Sequence, residues 1–154
     1  MRKISGSGTA PNTIQGKSAA GRQYDRCVEW AKANNVGIGD RKTTKKIVEI
    51  QPYDAANKAF WEEFGGFLVH DAVKVIKKSI EDGEDVEEID DEPLAVGTAL
   101  QYFSGVLNTI HQKPGAYDLE FFKPFEGISS TKDYSKVPWV SDIRREIDEE
   151  RNDS

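Results

Sequence analysis

A chain of 154 residues, 37% hydrophobic and 31% charged, has the length of one compact domain with tails and can bury one modest core. A single cysteine, Cys27, excludes an internal disulfide, and the absence of any run of 18 apolar residues argues against a membrane-spanning helix. The net charge of −6 argues against indiscriminate coating of nucleic acid but is unevenly spread: residues 1–46 hold ten basic against three acidic residues, and residues 47–100 four lysines against fourteen acids.

Residues 1–12, rich in Gly, Ser, Thr and Pro, predict a flexible, disordered tail. No apolar run follows Met1-Arg2-Lys3-Ile4, so a secretory leader is not expected and the chain should stay inside the cell, in cytoplasm or nucleus. Gly6-Ser7-Gly8-Thr9 lacks the Gly-Lys-Ser/Thr ending of a phosphate loop. A first helix is predicted over 13–34, with Tyr24, Cys27, Val28 and Ala31 as its apolar stripe and Arg22 and Arg26 on another face. Asn34-Asn35-Val36-Gly37 supplies its stop. A basic turn follows, Arg41-Lys42-Thr43-Thr44-Lys45-Lys46, and then an extended connector, Ile47–Ile50.

The spacing of Phe60, Trp61, Phe64, Phe67, Leu68, Ala72, Val75 and Ile76 predicts a second helix over 54–80, capped by Asp54. Gly65-Gly66 would mark a kink or a close crossing, and Lys74, Lys77 and Lys78 would lie in the last turns, where cations suit the dipole. Residues 81–92 are dense in Asp and Glu and predict a mobile acidic inter-helix loop. A third helix should start near Pro93, bury Val96, Ala99, Leu100, Phe103, Val106, Leu107 and Ile110, and stop at Pro114-Gly115. A short helix over 117–125, a loop over 126–138 and a charged helix over 142–151 capped by Ser141 complete the chain. The last is apolar only at Ile143 and Ile147 and needs a partner. The expected class is all-α: a bundle of four to five helices, with a helical domain over 13–125 and a linker plus charged helix over 126–154.

The residues offer little for chemistry. His70 and His111 sit on different helices with no cysteine pair nearby, so no metal site or cofactor is expected. Cys27 in a helical stripe reads as a small buried hydrophobe. Nothing places a base beside a nucleophile, so no catalytic residue is assigned. Phosphate contacts, in contrast, need Lys and Arg on one surface. Arg22, Arg26, Arg41, Lys42, Lys45 and Lys46 are the first candidates, with Lys77, Lys78 and Lys113 behind them.

The segment Thr98-Ala99-Leu100-Gln101-Tyr102-Phe103-Ser104-Gly105-Val106-Leu107-Asn108 resembles the Thr-x-x-x-Tyr-Leu-Ser-x-Leu helix of the N-terminal core-binding (SAM-like) domain of tyrosine recombinases, or phage-type integrases. Phe60–Leu68 is similar to that domain's Phe-x-x-Phe/Tyr-Leu helix, and Val137-Pro138-Trp139 through Arg145 looks like the junction to its catalytic domain. The resemblance implies a helical bundle that clamps double-stranded DNA by its backbone, in a fragment or relic that lacks the catalytic Arg, His-x-x-Arg and Tyr. The last helix would then meet a catalytic domain or another protomer. The linker 81–92 is longer and more acidic than the family needs. The alternative is a helical protein–protein interaction module, marked by an exposed patch of Phe121, Phe122, Phe125 and Trp139.

Overall fold

The computed structural model describes residues 18–81, 84–128 and 131–152, with the side chains of 74–91 and 151–152 outside that description. Residues 1–12 and the Gly6–Thr9 stretch therefore lie outside the described residues, as do 13–17 of the first expected helix. The described chain is mostly helical, and its helices are α1 (Ala19–Ala33), α2 (Lys58–His70), α3 (Val96–His111) and α4 (Pro138–Asn152). Short 3-10 turns occupy Pro52–Ala55, Ala116–Asp118, Glu120–Phe125 and Thr131–Lys136. The expected bundle is what forms, with one insertion of a different kind.

That insertion is a β-hairpin, and it corrects two expectations. The second helix does not run to Ile80: it ends at His70, and β1 (Val73–Glu81) pairs antiparallel with β2 (Glu84–Pro93). The acidic stretch is thus a strand rather than a mobile loop, and Lys74, Lys77 and Lys78 serve no helix terminus. The register sets Lys77 opposite Glu88 and Lys78 opposite Glu87, and unlike charges at facing positions favour pairing. Two of the carboxylates that would repel one another along a loop, those of Glu87 and Glu88, thereby gain a cationic position across the ladder. Pro93 ends β2 instead of starting α3, whose N-cap is Ala95. Ala72 and Leu94, 4% and 3% exposed, anchor the hairpin's base in the core.

Other boundaries move for local reasons. Asn57, rather than Asp54, caps α2 by accepting from the Phe60 amide at 2.9 Å. Asp54 instead accepts from the Gln51 amide at 3.1 Å, closing the preceding 3-10 turn. Ser18 caps α1 through Gly21 at 3.0 Å. The last helix begins at Pro138, before Ser141, since proline suits a first helical position.

One core joins all four helices. Tyr24 of α1 lies 5.8 Å from Phe60 and 5.7 Å from Phe64 of α2, Phe64 stacks on Phe103 of α3 at 6.4 Å, and Trp61 meets Trp139 at the head of α4 at 6.0 Å. Cys27 is buried among these groups, its thiol pushed up to about 12, mainly by burial. The last helix has found its partner within the chain: Val140, Ile143 and Ile147 are buried, and α4 packs on α2 and α3. Its apolar stripe is therefore not presented to a catalytic domain or protomer. Arg144 braces it further, donating to the Leu100 carbonyl and the Ser104 hydroxyl.

The Gly65-Gly66 pair splits into two roles. A Cβ on Gly65 would meet Ile143 Cγ2 at 3.3 Å and Ile147 Cδ1 at 3.4 Å, so this glycine lets α2 and α4 approach closely; one on Gly66 would meet nothing within 4 Å. A Gly65→Leu variant should lose roughly 1–3 kcal/mol by overpacking that crossing. Gly66→Ala should gain up to about 1 kcal/mol from helix propensity. Denaturant titration of the two variants checks the contrast.

His111 is fully buried between hydroxyls, with Nδ1 2.9 Å from Tyr117 Oη and Nε2 2.9 Å from Tyr134 Oη. Tyr134 also donates to Asn108 Oδ1 at 3.2 Å. Tyr134 therefore accepts from Nε2–H, and in the neutral ring Nδ1 accepts from the Tyr117 hydroxyl. Burial holds this imidazole below its ordinary value. The unfolded chain, titrating near about 6.5, then binds the proton more readily, so stability is full above that pH and is lost as pH falls through the lower folded value. Urea midpoints should drop between about pH 7.5 and 5.5, with a smaller drop in His111→Phe.

Candidate nucleic-acid interface

Between α1 and α2 the chain forms no α-helix or sheet, so its buried amides and carbonyls need other partners. Asn35, at φ 61, turns the chain out of α1. A single bridge pairs Ile38 with Thr43 through bonds of 3.0 and 3.1 Å, closing the tight turn that carries Arg41 and Lys42. Gly37 has to be glycine here, because a Cβ would stand 2.3 Å from the Lys42 carbonyl oxygen. Side chains from the helices satisfy the rest. Glu63 Oε1 accepts from the Gly39 amide and Asn57 Oδ1 from the Asp40 amide, both at 3.0 Å. The Tyr24 hydroxyl donates to the Lys45 carbonyl at 3.1 Å, and the Asp25 carboxylate accepts from the Ile47 amide at 2.7 Å. These bonds lay the basic turn along α1.

The first-ranked cations are carried by α1 and by the turn bonded to it. Arg22 and Arg26 are half-buried on α1, on either side of Asp25 in sequence. Lys46 reaches the same helix, its Nζ 2.7 Å from Glu29 Oε2, a pairing that raises the ammonium's pKa and lowers the carboxyl's. Lys45 lies 3.3 Å from Asp54, and Arg41 stacks over the Tyr53 ring at 3.9 Å. Lys42 is exposed at φ 51 and, with Lys32, lines a groove beside the turn.

Of the second-ranked three, Lys113 does not join them. Lys113 is a structural group: its Nζ donates to the carbonyls of Ile47 at 2.7 Å and Ile50 at 2.6 Å, holding the end of α3 under the 47–50 turn. Burial lowers its pKa below the ordinary lysine value. A residue that looks surface-directed in the sequence is thus spent on backbone oxygens. Lys77 and Lys78 stand on the hairpin, facing acidic positions in the register. The apolar patch expected of a protein-binding module is also absent as such: Phe122 and Phe125 are fully buried, and Phe121 stacks on half-buried Trp139 at 4.7 Å.

One feature that the sequence reading missed lies beside the turn. A groove of about 830 Å³ opens between α1 and α2, with Trp30, Val36, Gly66 and Phe67 among its walls. Lys32, Lys42, Glu63 and Asp71 also line it. Trp30 is 39% exposed, 6.0 Å from Phe67. The signal was available, since Trp30 falls outside the Tyr24, Cys27, Val28, Ala31 stripe and a tryptophan on a polar helix face has no core to enter. His70, also at the groove, pairs with Glu150 at 2.9 Å. Among the described residues, no cluster of three His, Cys, Asp or Glu side chains converges as a metal site would need, and no helix is long and apolar enough to cross a membrane.

No family model, curated protein or solved structure matches the chain, so its function has to be read from its own residues.

Lys113→Met should lower stability by about 1–3 kcal/mol, because two partly buried carbonyls lose their donor. Arg41→Ala, at an exposed position, should change it by about 0.5 kcal/mol or less. Thermal melts of the two variants separate the structural cation from the surface one.

Proposed function

We propose that this chain binds double-stranded DNA through the phosphate backbone, acting as a non-catalytic clamping domain like the core-binding domain of tyrosine recombinases. Arg22, Arg26, Arg41, Lys42, Lys45 and Lys46 supply the contacts. The supporting observation is the pinning of the 41–46 turn along α1 by Tyr24 and Asp25, which holds cations from two segments on a fixed backbone. The partners of Lys45, Lys46 and Arg41 do not remove these three from use. Lys45 and Lys46 sit in solvent-exposed ion pairs, which contribute little and exchange readily for a phosphate. Arg41 over Tyr53 keeps its guanidinium edge open to a bidentate contact. The chain itself performs no cleavage under this reading.

Each phosphate neutralised releases condensed counterions, so six contacts predict a log–log salt slope of about −5 for duplex binding. Arg41→Ala with Lys42→Ala should reduce the slope by about 2 and weaken binding on every sequence alike. Anisotropy titrations of a labelled duplex from low to physiological salt measure both quantities. Affinity indifferent to salt, or no binding at low salt, would sink the proposal.

A further inference from the structure

We infer that the groove between α1 and α2 takes an unpaired nucleotide, its base stacked on Trp30 and its phosphate held by Lys32 and Lys42. This rests on the duplex-binding reading and extends it to DNA with a displaced or single-stranded base.

The groove is lined by the kinds of group a nucleotide needs. Trp61 is fully buried and Trp139 half-buried, whereas Trp30 leaves 39% of its surface in solvent. An exposed indole next to lysines is the arrangement by which single strands are held, because every base offers a π-face. Lys32 and Lys42 are both exposed cations at the rim, and the carboxylate that Lys32 approaches, Glu29, is 4.0 Å away. On the α2 side, Asp71 is exposed, and Glu63 spends one oxygen on the Gly39 amide. Its second oxygen and Asp71 are acceptors for base N–H groups.

Gly66 supplies an independent observation. Glycine within a helix costs about 1 kcal/mol relative to alanine. At Gly65 the crossing with α4 explains it, but at Gly66 an added Cβ would meet nothing within 4 Å. Packing gives no reason for the missing side chain, while its absence deepens the groove beside Phe67. Lys42 belongs both to the groove and to the basic turn, so a nucleotide leaving a duplex on that turn is already near the groove.

The test compares a blunt duplex with the same duplex carrying a five-nucleotide single-stranded extension, on the full chain by anisotropy. The extension should improve affinity about 10-fold, the worth of one stacked base. Trp30→Ala should erase that gain and leave blunt-duplex affinity unchanged. Gly66→Ala should erase it too while raising the melting temperature, so its loss cannot be put down to unfolding. Duplex binding with no gain from the extension, or a gain that survives in both variants, overturns the groove and leaves the basic face standing. Binding of the extension strand alone, with no affinity for the blunt duplex, keeps the groove and overturns the basic face. A groove that ignores both DNAs and takes an acidic or basic peptide overturns both.

Discussion

The segment between α1 and α2 has to satisfy its backbone without making a helix or sheet, and that requirement organises the rest of the molecule. A buried amide or carbonyl left unpaired costs roughly 1–3 kcal/mol. Here Asp25, Tyr24, Asn57, Glu63 and Lys113 answer for six backbone groups between Gly39 and Ile50, five of them buried or partly buried. Those side chains come from α1, α2, the residue before α2 and the residues just past α3, so the turn can close only once the helices have assembled. Its rigidity is a consequence of the bundle. Because inward-facing groups are consumed in this way, the cations left outside are those that nothing inside needed.

The helices can serve the turn because two glycines set how closely they approach. A Cβ on Gly105 would stand 2.8 Å from Ala20 Cβ, which brings α3 against α1, and Gly65 does the same for α2 and α4. Between these close crossings the aromatic residues fill the space. Phe125 stacks on His111 at 5.0 Å and meets Tyr134 edge-on at 5.5 Å, carrying the core from the bundle into the 3-10 turns after α3. Such rings give large burial with few rotatable bonds, which suits a chain with a modest share of apolar residues.

Much of the bundle was legible in the sequence, because the stripes of α1, α3 and α4 repeat at helical spacing and end in readable stops. The hairpin was misread for a specific reason. Leu68, Ala72, Val75 and Ile76 continue the helical spacing of α2, and three lysines nearby imitate a helix end. The competing signals were Val73, Val75, Ile76 and Ile80, all β-branched, and Asp82-Gly83, a favoured two-residue hairpin connection. The site was legible only in part. Which residues are cationic is written in the chain, but whether a lysine faces solvent depends on tertiary neighbours. Lys113 meets carbonyls 66 and 63 residues away in sequence, and no local pattern encodes that. The groove was missed because its two walls, near Trp30 and Phe67, come from separate helices.

The net charge of −6 then looks less of an obstacle to meeting a polyanion. At physiological ionic strength, exposed charges more than roughly 8 Å away are largely screened, so a phosphate responds to its immediate neighbourhood. Much of the acidic excess is concentrated in β2, where the register sets Glu87 and Glu88 opposite Lys78 and Lys77. Under the duplex-binding proposal, such pairing of charge within the hairpin would leave the turn from Arg41 to Lys46 as the cationic approach.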